Sequence, residues 1–266
     1  MLSDRGQVRR QNEDACAAAP LFKVFVVCDG MGGAAGGEVA SHLAAEAFVS
    51  YLSQNGVEDG LPPSRVRSRV NSAVQVANRA VYQQSVKASH LSGMGTTLVG
   101  LLHSPSKVNG SLSPGQNIEQ SSRPSLWLVH VGDSRCYRWR SRNLEQLTVD
   151  HSLVEEQVRA GQITPAQALE SPMRNVITRA VGTQITVDPE INGYCPQQGD
   201  LYLLASDGLT RELADPEIAD ILSRVPAEIT QAALYEACRD LVEAANQKGG
   251  NDNITVLLFA PGPCER

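Results

Sequence analysis

Apolar runs that end in an acid beside a glycine recur along this chain, and they constrain its fold more than any other feature. Phe22–Cys28 leads into Asp29-Gly30-Met31-Gly32-Gly33, Ser125–Val131 into Gly132-Asp133-Ser134-Arg135, and Leu201–Ala205 into Ser206-Asp207-Gly208. Two further acidic clusters, Asn12-Glu13-Asp14 and Asn251-Asp252-Asn253, lie near opposite ends of the sequence. The runs are rich in β-branched and aromatic residues and read as buried strands. Carboxylates at strand ends with glycine beside them let a β-rich scaffold build a cage for hard cations. An oxygen-only donor set suits Mg²⁺ or Mn²⁺ rather than Zn²⁺.

Helical periodicity fills the intervals. Val39, Leu43, Ala47 and Tyr51 predict an amphipathic helix from Glu38 to about Ser53, after a glycine-rich turn at Gly32–Gly37. A second helix follows Pro62-Pro63-Ser64 and runs to about Ala88. Ser152–Gln167 reads as two short helices broken at Gly161, and Ala227–Gln247 as a long one. Thr96–Leu102, Arg135–Arg140 and Ile254–Phe259 add strands. Segment 103–124 is polar, rich in Ser, Asn, Gln, Gly and Pro, and is expected to be a mobile hairpin loop. Strands grouped with paired helices, without strict βαβ alternation, imply stacked antiparallel sheets covered by helices.

Bulk properties narrow the function. The 266 residues show no linker and no internal repeat, so 1–266 is expected to be a single domain. The net charge of −6 argues against nucleic acid or an anionic membrane as the partner. No apolar run is long enough to span a bilayer, and the opening residues lack a signal core. The six cysteines show no Cys-x-x-Cys spacing and are read as free thiols in a reducing cytoplasm. No heptad run suggests self-association, so a monomer is expected. Gly32–Gly37 lacks the Gly-Lys-Ser/Thr ending of a nucleotide-phosphate loop.

Converging carboxylates repel one another and stay partly protonated unless cations bind. Two divalent ions sharing one carboxylate relieve the repulsion, activate a water and hold an anionic substrate in line for attack. A phosphomonoester dianion entering such a pocket also needs an arginine, and Arg9 and Arg10 stand just before the first cluster.

Seven motifs in order carry a family resemblance: Ser3-Asp4-Arg5-Gly6-x-x-Arg9-x-x-Asn12-Glu13-Asp14, Asp29-Gly30-Met31-Gly32-Gly33, Gly95-Thr96-Thr97, Val131-Gly132-Asp133-Ser134-Arg135, Asp150-His151-Ser152, Ala205-Ser206-Asp207-Gly208-Leu209 and Asp252-Asn253-Ile254-Thr255. Together they cover nearly the whole chain, which resembles the bacterial metal-dependent protein phosphatases of the PPM, or protein phosphatase 2C, family. The resemblance implies an α+β fold, a four-layer αββα sandwich of two antiparallel sheets flanked by helix pairs. It implies a serine/threonine phosphatase whose partners are phosphorylated proteins made by serine/threonine kinases. It also implies two bridging Mg²⁺ or Mn²⁺ ions, a possible weaker third, and hydrolysis by an activated water without a phosphoenzyme.

Residue by residue, the resemblance makes Asp29 the carboxylate shared by both metals, with the Gly30 carbonyl, Asp207 and Asp252 on the first. Glu13 and Asp14 serve the second, Glu13 through water. Asp133 with Asp207 would hold the third; its alternative is a structural turn in which Asp133 pairs with Arg135. Arg9 matches the phosphate-binding arginine, ahead of Arg10. Segment 152–182 matches the flap beside the site, an element tied to substrate choice. His130 and His151 are read as hydrogen-bonded structural groups.

One position departs from the pattern. Bacterial members commonly follow Asp-Gly-Met-Gly-Gly with a histidine thought to act as general acid, and here that position is Ala34. Such assistance is worth roughly a hundred- to ten-thousand-fold in rate. His42, on the following helix, is the substitute nearest in sequence. Ala34 is also the one feature that favours a different class of function, a catalytically weak phosphoprotein-binding or sensor module that keeps the fold. A hydrolase of small phosphoesters is a third reading, disfavoured by a flap of full length.

Overall fold

The computed structural model describes residues 1–32, 36–55, 61–104 and 123–261. Ala34, most of the polar segment 103–124 and Cys264 lie outside the described residues. In chain order the elements are β1 (Leu2–Asp4), β2 (Asp14–Ala19), β3 (Val24–Met31), α1 (Gly36–Gln54), α2 (Pro63–Lys87), β4 (Gly95–Thr96), β5 (Leu98–His103), β6 (Leu126–Val131), β7 (Arg135–Arg140), β8 (Asn143–Gln146), α3 (Leu153–Arg159), α4 (Pro165–Glu170), β9 (Glu190–Tyr194), β10 (Leu201–Ala205), α5 (Asp207–Thr210), α6 (Asp215–Leu222), α7 (Gln231–Lys248) and β11 (Ile254–Phe259).

Among the described residues the strands form two sheets in which every pairing is antiparallel. One runs β1-β11-β10-β7-β8, the other β2-β3-β5-β6-β9 with β4 beside β3. Strict alternation sends each strand's side chains to two different cores. Val27, Val99, Leu101 and Leu128 meet Tyr202, Leu204 and Leu257 between the sheets. Val24, Val26 and Cys28, on the other face of β3, pack under α1 and α2 with Phe48, Val70 and Val81. Leu203 and Ala205, on the other face of β10, pack under α6 and α7 with Ile218 and Leu241. The result is the four-layer αββα sandwich. Both faces of the central strands are covered, which explains their uninterrupted apolar runs. Each fully buried Leu, Val or Phe contributes about 1.5–3 kcal/mol.

Several boundaries differ from the sequence expectation for local reasons. The last helix begins at Gln231, not Ala227, because Thr230 accepts the Ala233 N–H at 3.1 Å and caps it. The strand expected over Thr96–Leu102 is broken at Thr97, whose side chain turns toward Asp29. β1, β2, β8, β9 and α6 carry weak periodic signals and emerge only in the folded chain. Cys16, Cys28, Cys136 and Cys238 are free thiols. Among the described residues no helix is long and apolar enough to cross a membrane.

Candidate metal centre

Strand ends from both sheets meet at one edge of the sandwich. Asp14 opens β2 and faces Asp29, near the end of β3, in the pairing register. Asp133 sits in the turn from β6 to β7, Asp207 follows β10, and Asp252 precedes β11. Arg9, Glu13, Asp29, Gly30, Asp133, Asp207 and Asp252 line a single cavity of about 520 Å³. Asp14 lies behind them, 3% exposed. All eight residues singled out in the sequence therefore converge.

Hydrogen bonds hold this arrangement from behind. Asp29 N–H donates to Thr97 Oγ1 at 2.9 Å, and Thr96 Oγ1 and Thr97 N–H both donate to the Asp29 carbonyl at 2.8 Å. Ser206 Oγ donates to Asp14 Oδ2 at 2.7 Å and accepts from Thr255 N–H at 2.9 Å, tying the two sheets together. Asn253 Oδ1 accepts from Glu13 N–H, and its Nδ2 donates to the carbonyls of Arg5 and Gln11. The arch carrying Arg9 and Glu13 is thus pinned to the β11 end.

Close backbone approach explains two of the glycines. A Cβ on Gly30 would stand 2.1 Å from the Gly37 carbonyl and 2.5 Å from that of Glu13. One on Gly37 would stand 2.8 Å from the Glu13 carboxyl. Only glycine lets α1 begin this close to the acidic cluster.

The electrostatics follow from crowding. Burial pushes the carboxyls of Asp29 and Asp207 well above their usual range, and the neighbouring carboxylates push them further. Burial, opposed by the Ser206 and Thr255 hydrogen bonds, raises Asp14 to about 7. Asp133 and Glu13 are raised, again first by burial. Asp14 Oδ1 and Asp207 Oδ1 are buried without a hydrogen-bond partner. Oxygen-only donors, crowded negative charge and orphaned carboxylate oxygens fit a hard divalent cation.

Two guanidiniums face this charge. Arg9 donates to Asp252 Oδ2 at 2.7 Å. Arg211 reaches the same oxygen at 3.1 Å and also pairs with Asp207. Sequence reasoning missed Arg211. Its signal was the four-residue step from Asp207, meaningful only once a helical turn at α5 is known.

Other candidates fall elsewhere. The Asp133–Arg135 pair does not form: Arg135 is held by Asp150 through three bonds of 2.7–3.1 Å. His42 bonds its own helix at the Glu38 carbonyl and does not line the cavity. Arg10 is exposed and also outside it. His130, His151 and Glu190 come together, the two rings stacked with centroids 4.6 Å apart. His130 Nε2 bonds the Val149 carbonyl at 2.8 Å. Gly132 N–H donates to His151 Nδ1, and Arg179 Nη1 lies 3.3 Å from its Nε2. Burial lowers both histidines, His151 to about 4, which favours the uncharged rings.

The chain is similar to proteins already described. Residues 5–243 match the family model for protein phosphatase 2C. The serine/threonine protein phosphatase PstP of Mycobacterium tuberculosis is 36% identical over 96% of this chain, which spans 43% of that relative's length. The serine/threonine phosphatase stp of Listeria welshimeri is 33% identical over 96% of this chain and 92% of its own. The PstP catalytic domain solved in complex with two manganese ions superposes with a TM-score of 0.73 at 33% identity, covering 97% of this chain and 94% of that one. By its sequence, its layered sheets and these relatives, the chain belongs to the protein phosphatase 2C family.

Proposed function

We propose that this chain is a metal-dependent serine/threonine protein phosphatase, one catalytic domain that removes phosphate from phosphoserine and phosphothreonine in cytoplasmic phosphoproteins. The observation carrying this reading is the convergence of Glu13, Asp29, Asp133, Asp207 and Asp252 with Arg9 on one cavity built from both sheets. Asp29 would be the ligand shared by two Mg²⁺ or Mn²⁺ ions. Asp207, Asp252 and the Gly30 carbonyl would serve one ion, and Asp14 and Glu13 the other, Glu13 through water. Asp133 with Asp207 would hold a weaker third. When bound, such ions lower the pKa of water and neutralise a phosphate dianion.

The chain's own part is positioning. Arg9 is half-exposed at the rim, free to rotate its guanidinium from Asp252 toward an entering phosphate. No Cys, Ser or His lines the cavity among the described residues, and the Thr97 hydroxyl is already held by Asp29 N–H and Ser134. The side-chain nucleophiles left are carboxylates, and the reading above commits these to metal, which leaves water as the attacking group. Among the described residues no histidine lines the cavity to protonate the leaving alkoxide.

The test is phosphate release from a phosphothreonine peptide, with Mn²⁺ and with chelator, for the native chain and Asp207→Ala. Metal-dependent release that the variant loses supports the reading. No release from folded, metal-binding native protein would overturn it in favour of a binding or sensor module.

A further inference from the structure

We infer that Arg211 is a second phosphate-binding guanidinium, acting beside Arg9 on the same substrate group; the inference rests on the phosphatase reading above. Arg211 follows the short helix α5, and its main-chain N–H donates to the Asp207 carbonyl at 2.8 Å. That bond fixes the side chain's origin one helical turn from Asp207. The guanidinium then spans Asp207 and Asp252 and stays one-third exposed at the cavity mouth. It also lines a second cavity of about 660 Å³ that shares Asp133, Asn175 and Asp207 with the first and runs along α3 and α4. Arg211 therefore stands where the carboxylate pocket opens onto the surface a substrate must cross.

The pairing with Arg9 gives the argument its direction. Both guanidiniums converge on one atom, Asp252 Oδ2. Two cations brought to one point repel each other unless an anion lies between them. At present that anion is a carboxylate assigned to metal binding. Once Asp207 and Asp252 serve as ligands, the oxygens holding Arg211 are taken. Both guanidiniums are then open to a phosphate dianion, whose oxygens match the guanidinium fork. Arg135 shows the contrast: Asp150 holds it from two sides, and it is not available for this role.

The experiment compares native protein, Arg211→Ala and Arg211→Lys at saturating Mn²⁺. Calorimetry measures inorganic phosphate binding, a separate titration measures Mn²⁺ affinity, and kinetics gives KM and kcat on a phosphothreonine peptide. Arg211→Ala is expected to weaken phosphate binding and raise KM about tenfold, with a smaller change in kcat and a Mn²⁺ affinity no weaker than native, because the guanidinium no longer competes for Asp207 and Asp252. Arg211→Lys should recover part of the phosphate affinity, because charge is restored without the fork. Unchanged phosphate affinity in Arg211→Ala overturns the inference. So does altered Mn²⁺ affinity that accounts for the whole loss, because Arg211 would then be only a counter-charge to the carboxylates. Native protein that binds phosphate but turns nothing over would defeat the phosphatase reading, while the calorimetric comparison would still decide the role of Arg211.

Discussion

Asp14 and Asp29 face each other directly across the β2–β3 ladder, two carboxylates where cross-strand neighbours ordinarily avoid like charge. Their burial beside Asp207 makes the repulsion worse. The sandwich tolerates the arrangement because hydrogen bonds from Ser206 to Asp14 and from Thr96 and Thr97 to the Asp29 main chain hold the pair in place.

Asp29→Asn should therefore divide stability from function. The variant is expected to abolish Mn²⁺-dependent phosphate release and to lose its melting shift on Mn²⁺ addition. Its melting temperature in chelator should rise, by roughly 2–4 °C for each kcal/mol of repulsion removed. Scanning calorimetry with and without Mn²⁺ reads both effects. Near-native turnover would refute the shared-ligand role.

The stabilisation gained from Mn²⁺ should grow as pH rises from about 5 to 8. Asp14 sits at about 7 when folded, above its ordinary value. Between those values the folded, metal-free chain binds the extra proton, so it loses stability as pH rises, by at most about 1.4 kcal/mol per pH unit per group. Metal binding removes that proton and is favoured in the same direction. Buried His103 and His151, both lowered to about 4, act oppositely: protonation of the unfolded chain lowers stability as pH falls through 6.5 toward 4. They do so with and without metal, and so cancel in the difference. A pH-independent difference between loaded and chelated melting curves would contradict the carboxylate assignment.

Asn253→Asp should be nearly as damaging as Asn253→Ala. The amide accepts from Glu13 N–H but must also donate to the Arg5 and Gln11 carbonyls, which a carboxylate cannot do. Each variant is expected to cost about 1–3 kcal/mol in denaturant titrations and to raise KM, because Arg9 rides on the released arch. A destabilised variant with native KM would separate the arch from substrate binding.

Gly37→Ala should impair metal binding far more than Gly161→Ala. The added methyl at Gly37 would press on the Glu13 carboxyl and the Gly30 main chain, whereas at Gly161 it meets nothing within 4 Å and carries only the strain of a φ of +68°. Overpacking of this kind typically costs about 1–3 kcal/mol. Mn²⁺ titration of the two proteins checks the contrast; equal affinities would mean α1 does not set the position of Glu13.

Legibility in the sequence tracked burial. β3, β10 and β11 were readable because both faces are apolar. β2, Asp-Ala-Cys-Ala-Ala-Ala, was not, since alanine has little strand preference and only pairing with β3 makes it one. Seven of the eight candidate site residues stand out as short motifs at or beside strand ends, and Arg9 by its spacing to Asp14. The roles of Asn253 and Arg211 could not. The carbonyl partners of Asn253 lie 248 and 242 positions away, and the Arg211 contact with Asp252 spans 41. No local pattern records such contacts.

The pairing of β1 with β11 has a kinetic consequence. Leu2 meets Val256, and the acidic cluster gathers Asp14 and Asp252, so the site closes between residues far apart in sequence. During synthesis, the early carboxylates wait for Asp252 to leave the ribosome before their cluster is complete. Such long-range closure is the slow part of folding. A nascent chain should therefore gain no metal-dependent activity by degrees; competence should arrive in one late step, when the last strand slots in.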